Sequence, residues 1–319
     1  METKTFSFNK IIFIESINIS KHPRLAIGDK LIQDLENKIR SIQSTTSALN
    51  GLSCKLIKVN GCDEFEEVCS QITKECENGC RPIIHFICHG YYNKSTKVSF
   101  MWLSSPTAAN GYEPISWSCV SHCLEKINVA CHNNLLVTMC VCHGLLSIAD
   151  LLDEGHRIPF WCLLSKSTSV SLNEGLKMLD FYLELIQTLS LNEAITHFKC
   201  LAYNSSTPVE NQLSPTFSDA IFTHVLRTEF QKRLDNTYLE NKAKEFWGSL
   251  GISVPTQLHI GLYKNIYQKD ISEIYCHLRD FKFMFDIYPE ERERFILPET
   301  YDELMKLNTN SSRKEQQSE

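Results

Sequence analysis

Two short stretches carry the side chains best suited to chemistry. RPIIHFICHG (81–90) ends in His89 and Gly90, and LLVTMCVCHG (135–144) ends in Cys142, His143 and Gly144. Each is an apolar run closed by a reactive side chain with a glycine beside it or one residue further on. The histidine and the cysteine lie 53 residues apart. A free cysteine has a pKa of about 8.5, so only a few per cent is thiolate at neutral pH. A neighbouring imidazole raises that fraction and can later protonate a departing amine. Cys142 is therefore the candidate nucleophile and His89 the candidate general base and acid. Glycine gives the backbone at 90 and 144 freedom to turn, which makes the amides of Gly90 and Cys142 candidate oxyanion donors.

Cys140 is an alternative nucleophile, because residues two apart on a strand point to the same face. Two features favour Cys142: it is followed by x-Gly, and the run Leu135–Cys142 equals Pro82–His89 in length, so both reactive residues reach the same sheet edge. Five metal-type donors crowd these strand ends: Cys88, His89, Cys140, Cys142 and His143. Zinc needs four converging donors, whereas alternation turns Cys88 away from His89 and His143 away from Cys142. No metal site is expected there, and no cofactor. His85 shares a face with His89 and reads as a core or supporting residue. Cys88, Cys119, Cys123 and Cys131 read as packing. Asp150 and Asp153 follow the cysteine turn and are candidates to line a pocket for a basic side chain, with a solvated loop or helix cap as the plainer alternative.

These residues need elements to hold them. The pattern predicts strands over 10–17, 53–59, 82–89, 135–141 and 156–165, and helices over 26–43, 63–76, 116–128 and 173–189. Leu31, Leu35, Ile39 and Ile42 mark one inward helical face; Trp117, Val120, Leu124 and Ile127 mark another. Residues 91–114 read as a loop holding a small hairpin. Strands alternating with helices of this length predict an α/β sandwich with a mostly parallel central sheet covered on both faces. In such sheets the crevice forms at the carboxyl ends of the strands, where His89 and Cys142 sit. A polar, proline-containing connector over 203–216 leads to a charge-rich helical region. The expected division is a sheet domain over 1–205, a helical region over 206–308 and a disordered tail over 309–319.

HFICHG followed by CHG resembles the caspase-like cysteine proteases, including the bacterial CHAT-type proteins and the metacaspases. In that family a strand-end His-Gly precedes a strand-end Cys by roughly fifty residues, in patterns such as Q-A-C-R-G. The resemblance spans about residues 10–200. It implies a three-layer caspase-like sandwich, with His89 as base and acid, Cys142 as nucleophile, and backbone donors at Gly90 and Cys142. It further implies a protein or peptide substrate, an activating partner or signal, and a place in bacterial antiviral defence or cell death. Val141 stands where caspases have Ala, Cys140 where they have Gln, and the metacaspase Asp before the cysteine is missing. Substrate preference is therefore not carried over. The departures also leave open a second class, an inactive caspase-like module that binds a protein partner.

The composition narrows the choice. In 319 residues with 22% charged and 43% hydrophobic side chains, the chain has the make-up of a globular protein. A net charge of −6 argues against direct nucleic-acid binding, which requires a concentrated basic surface. A nucleotide-binding α/β domain is disfavoured because the first strand turn, IESINIS, contains no glycine. No segment approaches the ~20 apolar residues of a membrane span, and no secretory start is legible, Glu15 interrupting the first apolar run. The expected location is cytoplasmic, where the 14 cysteines remain thiols.

Overall fold

The computed structural model describes residues 6–43, 51–96, 98–145, 156–204, 206–208, 211–233, 236–252, 254 and 256–307. In chain order the strands are β1 (Lys10–Ser16), β2 (Ser53–Lys58), β3 (Pro82–Asn93), β4 (Val98–Ser104), β5 (Tyr112–Ser116), β6 (Leu136–Cys140), β7 (Cys162–Ser165) and β8 (Ser214–Phe217). The helices are α1 (Gly28–Gln43), α2 (Cys62–Glu77), α3 (Trp117–Ala130), α4 (Leu172–Thr188), α5 (Leu191–Ala202), α6 (Ser218–Arg233), α7 (Asn236–Ser249) and α8 (Gln257–Lys282). The chain is α/β, and it divides into two compact units, residues 1–218 and 219–319.

In the first unit, β2, β1, β3, β6 and β7 lie side by side and parallel, and β8 adds antiparallel at the β7 edge. β1 is buried along nearly its whole length, as expected of a parallel strand covered on both faces. On one face Ile11, Phe13, Ile83, Ile87 and Leu136 join Leu31, Leu35 and Ile39 of α1, Phe181 and Leu185 of α4, and Phe198 of α5 in one core. Residues of opposite parity face α2 and α3; Phe86 lies 6.1 Å, ring to ring, from Phe65 of α2. The buried charged residue of β1, Glu15, accepts the Gly28 amide at 2.7 Å at the start of α1. A carboxylate suits the positive end of a helix, although burial pushes its pKa up, the Gly28 bond only partly offsetting that.

Several elements differ from expectation. β3 does not end at His89 but continues to Asn93, where an antiparallel ladder with β4, then β5, takes over from the parallel sheet. The expected small hairpin is thus part of a three-stranded meander. β6 ends at Cys140, so Cys142 lies in a turn and not on the strand. The stretch over 156–165 is strand only in its last four residues. Residues 191–202 form a helix that the pattern did not single out, capped by Ser190, whose hydroxyl accepts the Glu193 amide. The connector over 203–216 includes β8. Its Pro215 lacks an N–H to donate, which an edge strand tolerates, and the polar composition hid the strand.

The second unit is helical. Phe222, Phe230, Tyr275, Phe283, Tyr301 and Leu304 are buried in it. Arg279 reaches the carbonyls of Pro298 and Glu299 and pairs with Asp280. Among the described residues no helix is long and apolar enough to cross a membrane.

Candidate active site

The pairing of β3 with β6 aligns Ile87 with Cys140. Two residues further along each chain stand His89 and Cys142, so the parallel ladder delivers both to the carboxyl end of the sheet, on the face covered by α1 and α4. They line one cleft of about 110 Å³ together with Cys140, Ile27, Val170 and Leu172. The first turn of α4 closes the cleft: Ser171 caps the helix in a reciprocal box with Glu174.

Gly90 sets how closely the two segments meet. A β-carbon built there would overlap the carbonyl oxygen of Cys142 and crowd the side chain of Val141. Its role is thus one of space, and its backbone dihedral angles are of a kind other residues adopt. Gly144 is confined in the same way by Ser165 and Met139. The residue in the left-handed region is His143, at φ 60°. It is held there by two bonds to the loop after β7: its amide donates to Thr168 at 2.9 Å, and Nδ1 donates to the Ser167 carbonyl at 2.9 Å. A carbonyl only accepts, which places the proton on Nδ1.

The sulfur of Cys142 is half-buried. It accepts the Val170 amide at 3.4 Å and sits 4.0 Å from the Val170 carbonyl. Cys140 has a different environment. Its sulfur lies beside Gly175 of α4, and burial, followed by the charges of Glu174 and Cys142, drives its thiol far up. An un-ionised thiol is a poor nucleophile, which weighs against the alternative, Cys140.

His89 is partly buried. Its ring meets His22 at 4.9 Å and Tyr112 at 5.3 Å between centroids, both edge-on. Burial, and next the charge of His22, hold its pKa below the ordinary imidazole value, so the ring is neutral at neutral pH and competent as a base. Its Nε2 is buried without a hydrogen-bond partner.

Beneath the cleft, His85 is fully buried. Its Nδ1 lies 2.7 Å from the Thr138 hydroxyl and 2.9 Å from the Tyr182 hydroxyl, and those hydroxyls lie 2.7 Å apart. Burial pushes its pKa down to about 3, consistent with a supporting residue and not a proton carrier. Glu174, Lys166 and Tyr203 form a second buried network: Lys166 Nζ and the Tyr203 hydroxyl both donate to Glu174 Oε1, at 2.9 and 2.5 Å. Burial opposes ionisation of Glu174. The bonds from Tyr203, the Ser171 amide and Lys166 nonetheless hold its carboxyl below the usual range.

Cys88 also borders the cleft, against the alternation that assigns it to the other face; β3 exchanges its β1 partner for β4 between Cys88 and His89. The donors Cys88, His89, Cys140, Cys142 and His143 form no trio with ligand atoms within 4.8 Å of one another. Asp150 and Asp153 lie outside the described residues. Sequence reasoning missed Val170, His22 and Tyr112. The S-L-N-E spacing of a capping box at 171–174 marks the start of α4 and so locates Val170, whereas nothing local connects His22 or Tyr112 to the site. No protein-family model and no curated protein sequence matches the chain.

Proposed function

We propose that the chain is a cysteine endopeptidase of the caspase-like kind, with Cys142 as nucleophile and His89 as general base and acid. The supporting observation is the seating of the Cys142 carbonyl against Gly90, which brings the ends of β3 and β6 into van der Waals contact around a cleft that both reactive side chains line. In this reading the Cys142 sulfur attacks a peptide carbonyl while His89 takes the thiol proton. Negative charge develops on the former carbonyl oxygen, and the backbone amides of Gly90 and Cys142 are its proposed donors. His89 then protonates the departing amine, and the acyl-enzyme is hydrolysed by water that His89 deprotonates. None of these steps requires a cofactor. A protein partner or signal that activates the enzyme, in defence or cell death, belongs to the same reading through the resemblance to that family.

One observation favours a second reading, an inactive module that binds a protein. The Cys142 sulfur is bonded to the Val170 backbone, while Nε2 of His89 has no partner. Catalytic hydrogen bonds are often unformed before substrate binds, so a reactivity test separates the two. An electrophilic peptide ketone and a mixed peptide library should both report on the wild-type protein. Cys142→Ala should abolish labelling and cleavage, Cys140→Ala should retain both, and His89→Ala should slow them by about 10²–10⁴-fold. Cleavage by Cys142→Ala at the wild-type rate would overturn the protease reading, and labelling that is indifferent to His89 would favour the module.

A further inference from the structure

A second cluster of chemistry-bearing side chains lies away from the cleft. His122 and Glu125 stand one turn apart on α3, and His156 lies in the segment leading to β7. Both imidazoles aim at one carboxylate oxygen: Glu125 Oε2 is 3.0 Å from His156 Nδ1 and 3.6 Å from His122 Nδ1. The rings meet edge-on at 5.1 Å. The other oxygen, Oε1, accepts the Arg157 amide at 2.8 Å, which fixes the plane of the carboxylate and leaves Oε2 to the two histidines. The three ligand atoms all lie within 4.8 Å of one another.

We propose that His122, Glu125 and His156 bind a divalent transition-metal ion, Zn²⁺ by donor preference. Zinc takes imidazole nitrogen and carboxylate oxygen at about 2.0–2.2 Å in a tetrahedron, which sets neighbouring donors about 3.3–3.6 Å apart. The two nitrogen–oxygen separations of 3.6 and 3.0 Å lie within a few tenths of an ångström of that spacing, and the histidine donors lie within 4.8 Å of each other, so side-chain rotation closes the remaining gap. Two imidazoles with a carboxylate suit zinc better than magnesium or calcium, which prefer all-oxygen sites. The carboxylate is anchored from behind by a backbone N–H, the kind of outer bond that orients metal ligands. The side chains of His122 and His156 are 48% and 43% exposed, so the ion enters from solvent and water supplies the fourth ligand. Bound there, it ties α3 to the approach of β7. The plainer alternative is a histidine–glutamate ion pair with no metal.

The test uses the full-length protein, reduced and stripped with a chelator, because its 14 cysteines offer competing thiolates. Wild type should take up one tight equivalent of Zn²⁺ against a competing chelator. X-ray absorption should give nitrogen and oxygen donors, and Co²⁺ substitution should show no thiolate charge-transfer band. The His122→Ala/His156→Ala double variant should bind that equivalent at least ~10-fold more weakly and lose any Zn²⁺-dependent rise in unfolding temperature. Because both histidines are about half exposed, the double variant should keep its far-ultraviolet circular dichroism; if it does not, Glu125→Gln and the wild-type absorption spectrum decide. Equal zinc affinity in wild type and variant, or sulfur donors at the tight wild-type site, would overturn the assignment.

Discussion

At the residue scale, the turn that carries Cys142 is set by how closely its carbonyl approaches Gly90. Two apolar runs of equal length made β3 and β6 legible as neighbours, but β3 continues to Asn93 and β6 stops at Cys140, which puts Cys142 in the turn after its strand. The glycines were assigned to backbone rotation, and the structure gives them to close packing: Gly90 is wanted because a carbonyl occupies the place of its side chain. Gly90→Ala must therefore displace backbone, at a cost on the order of 1–3 kcal/mol. It should also lose most reaction with the peptide ketone while retaining a cooperative urea transition. Normal reactivity in a stable Gly90→Ala protein would show that the turn has room to give. His85 supplies a second test. Its pKa falls from 6.5 when unfolded to about 3 when folded, so below pH 6.5 the unfolded chain binds the extra proton. Stability should decline as pH drops from about 6.5 towards 3, by up to about 1.4 kcal/mol per unit. In urea titrations across that range His85→Phe should show a shallower decline than wild type.

At the scale of elements, hydrophobic periodicity located the core strands and most long helices of the sheet unit, but not how α4 meets Cys142. The helix was read as beginning at Asn173. Its true start at Leu172, behind the Ser171 cap, is what brings the Val170 amide to the sulfur. Glu174 holds this corner through the cap and through Lys166 and Tyr203. Glu174→Ala strands a buried lysine and should cost roughly 3–5 kcal/mol by urea denaturation. Replacing Lys166 and Glu174 together with Met and Leu should recover most of that loss. If the single variant costs no more than about 1 kcal/mol, the network is more exposed than the structure indicates. β8 and the longer β3 escaped the sequence because their pairings are long-range: Pro215 and Gly90 look like breakers until their partners are known.

At the scale of the whole molecule, the sheet unit extends to Ser218 because β8 belongs to it, a strand further than composition suggests. Each unit buries its own aromatic core. Residues 1–218 expressed alone should therefore unfold in one cooperative urea transition; a gradual, non-cooperative loss of signal would show that the sheet depends on the rest of the chain. The pairing of Ile87 with Cys140 has a broader consequence. The ladder stops at Cys140, so hydrogen bonding between two backbones fixes that sulfur beside α4, while the turn beyond the strand sets the next one. These two thiols, both lining the cleft, are thus governed by different parts of the backbone: a change confined to the turn shifts the Cys142 sulfur and leaves the Cys140 sulfur where the ladder holds it.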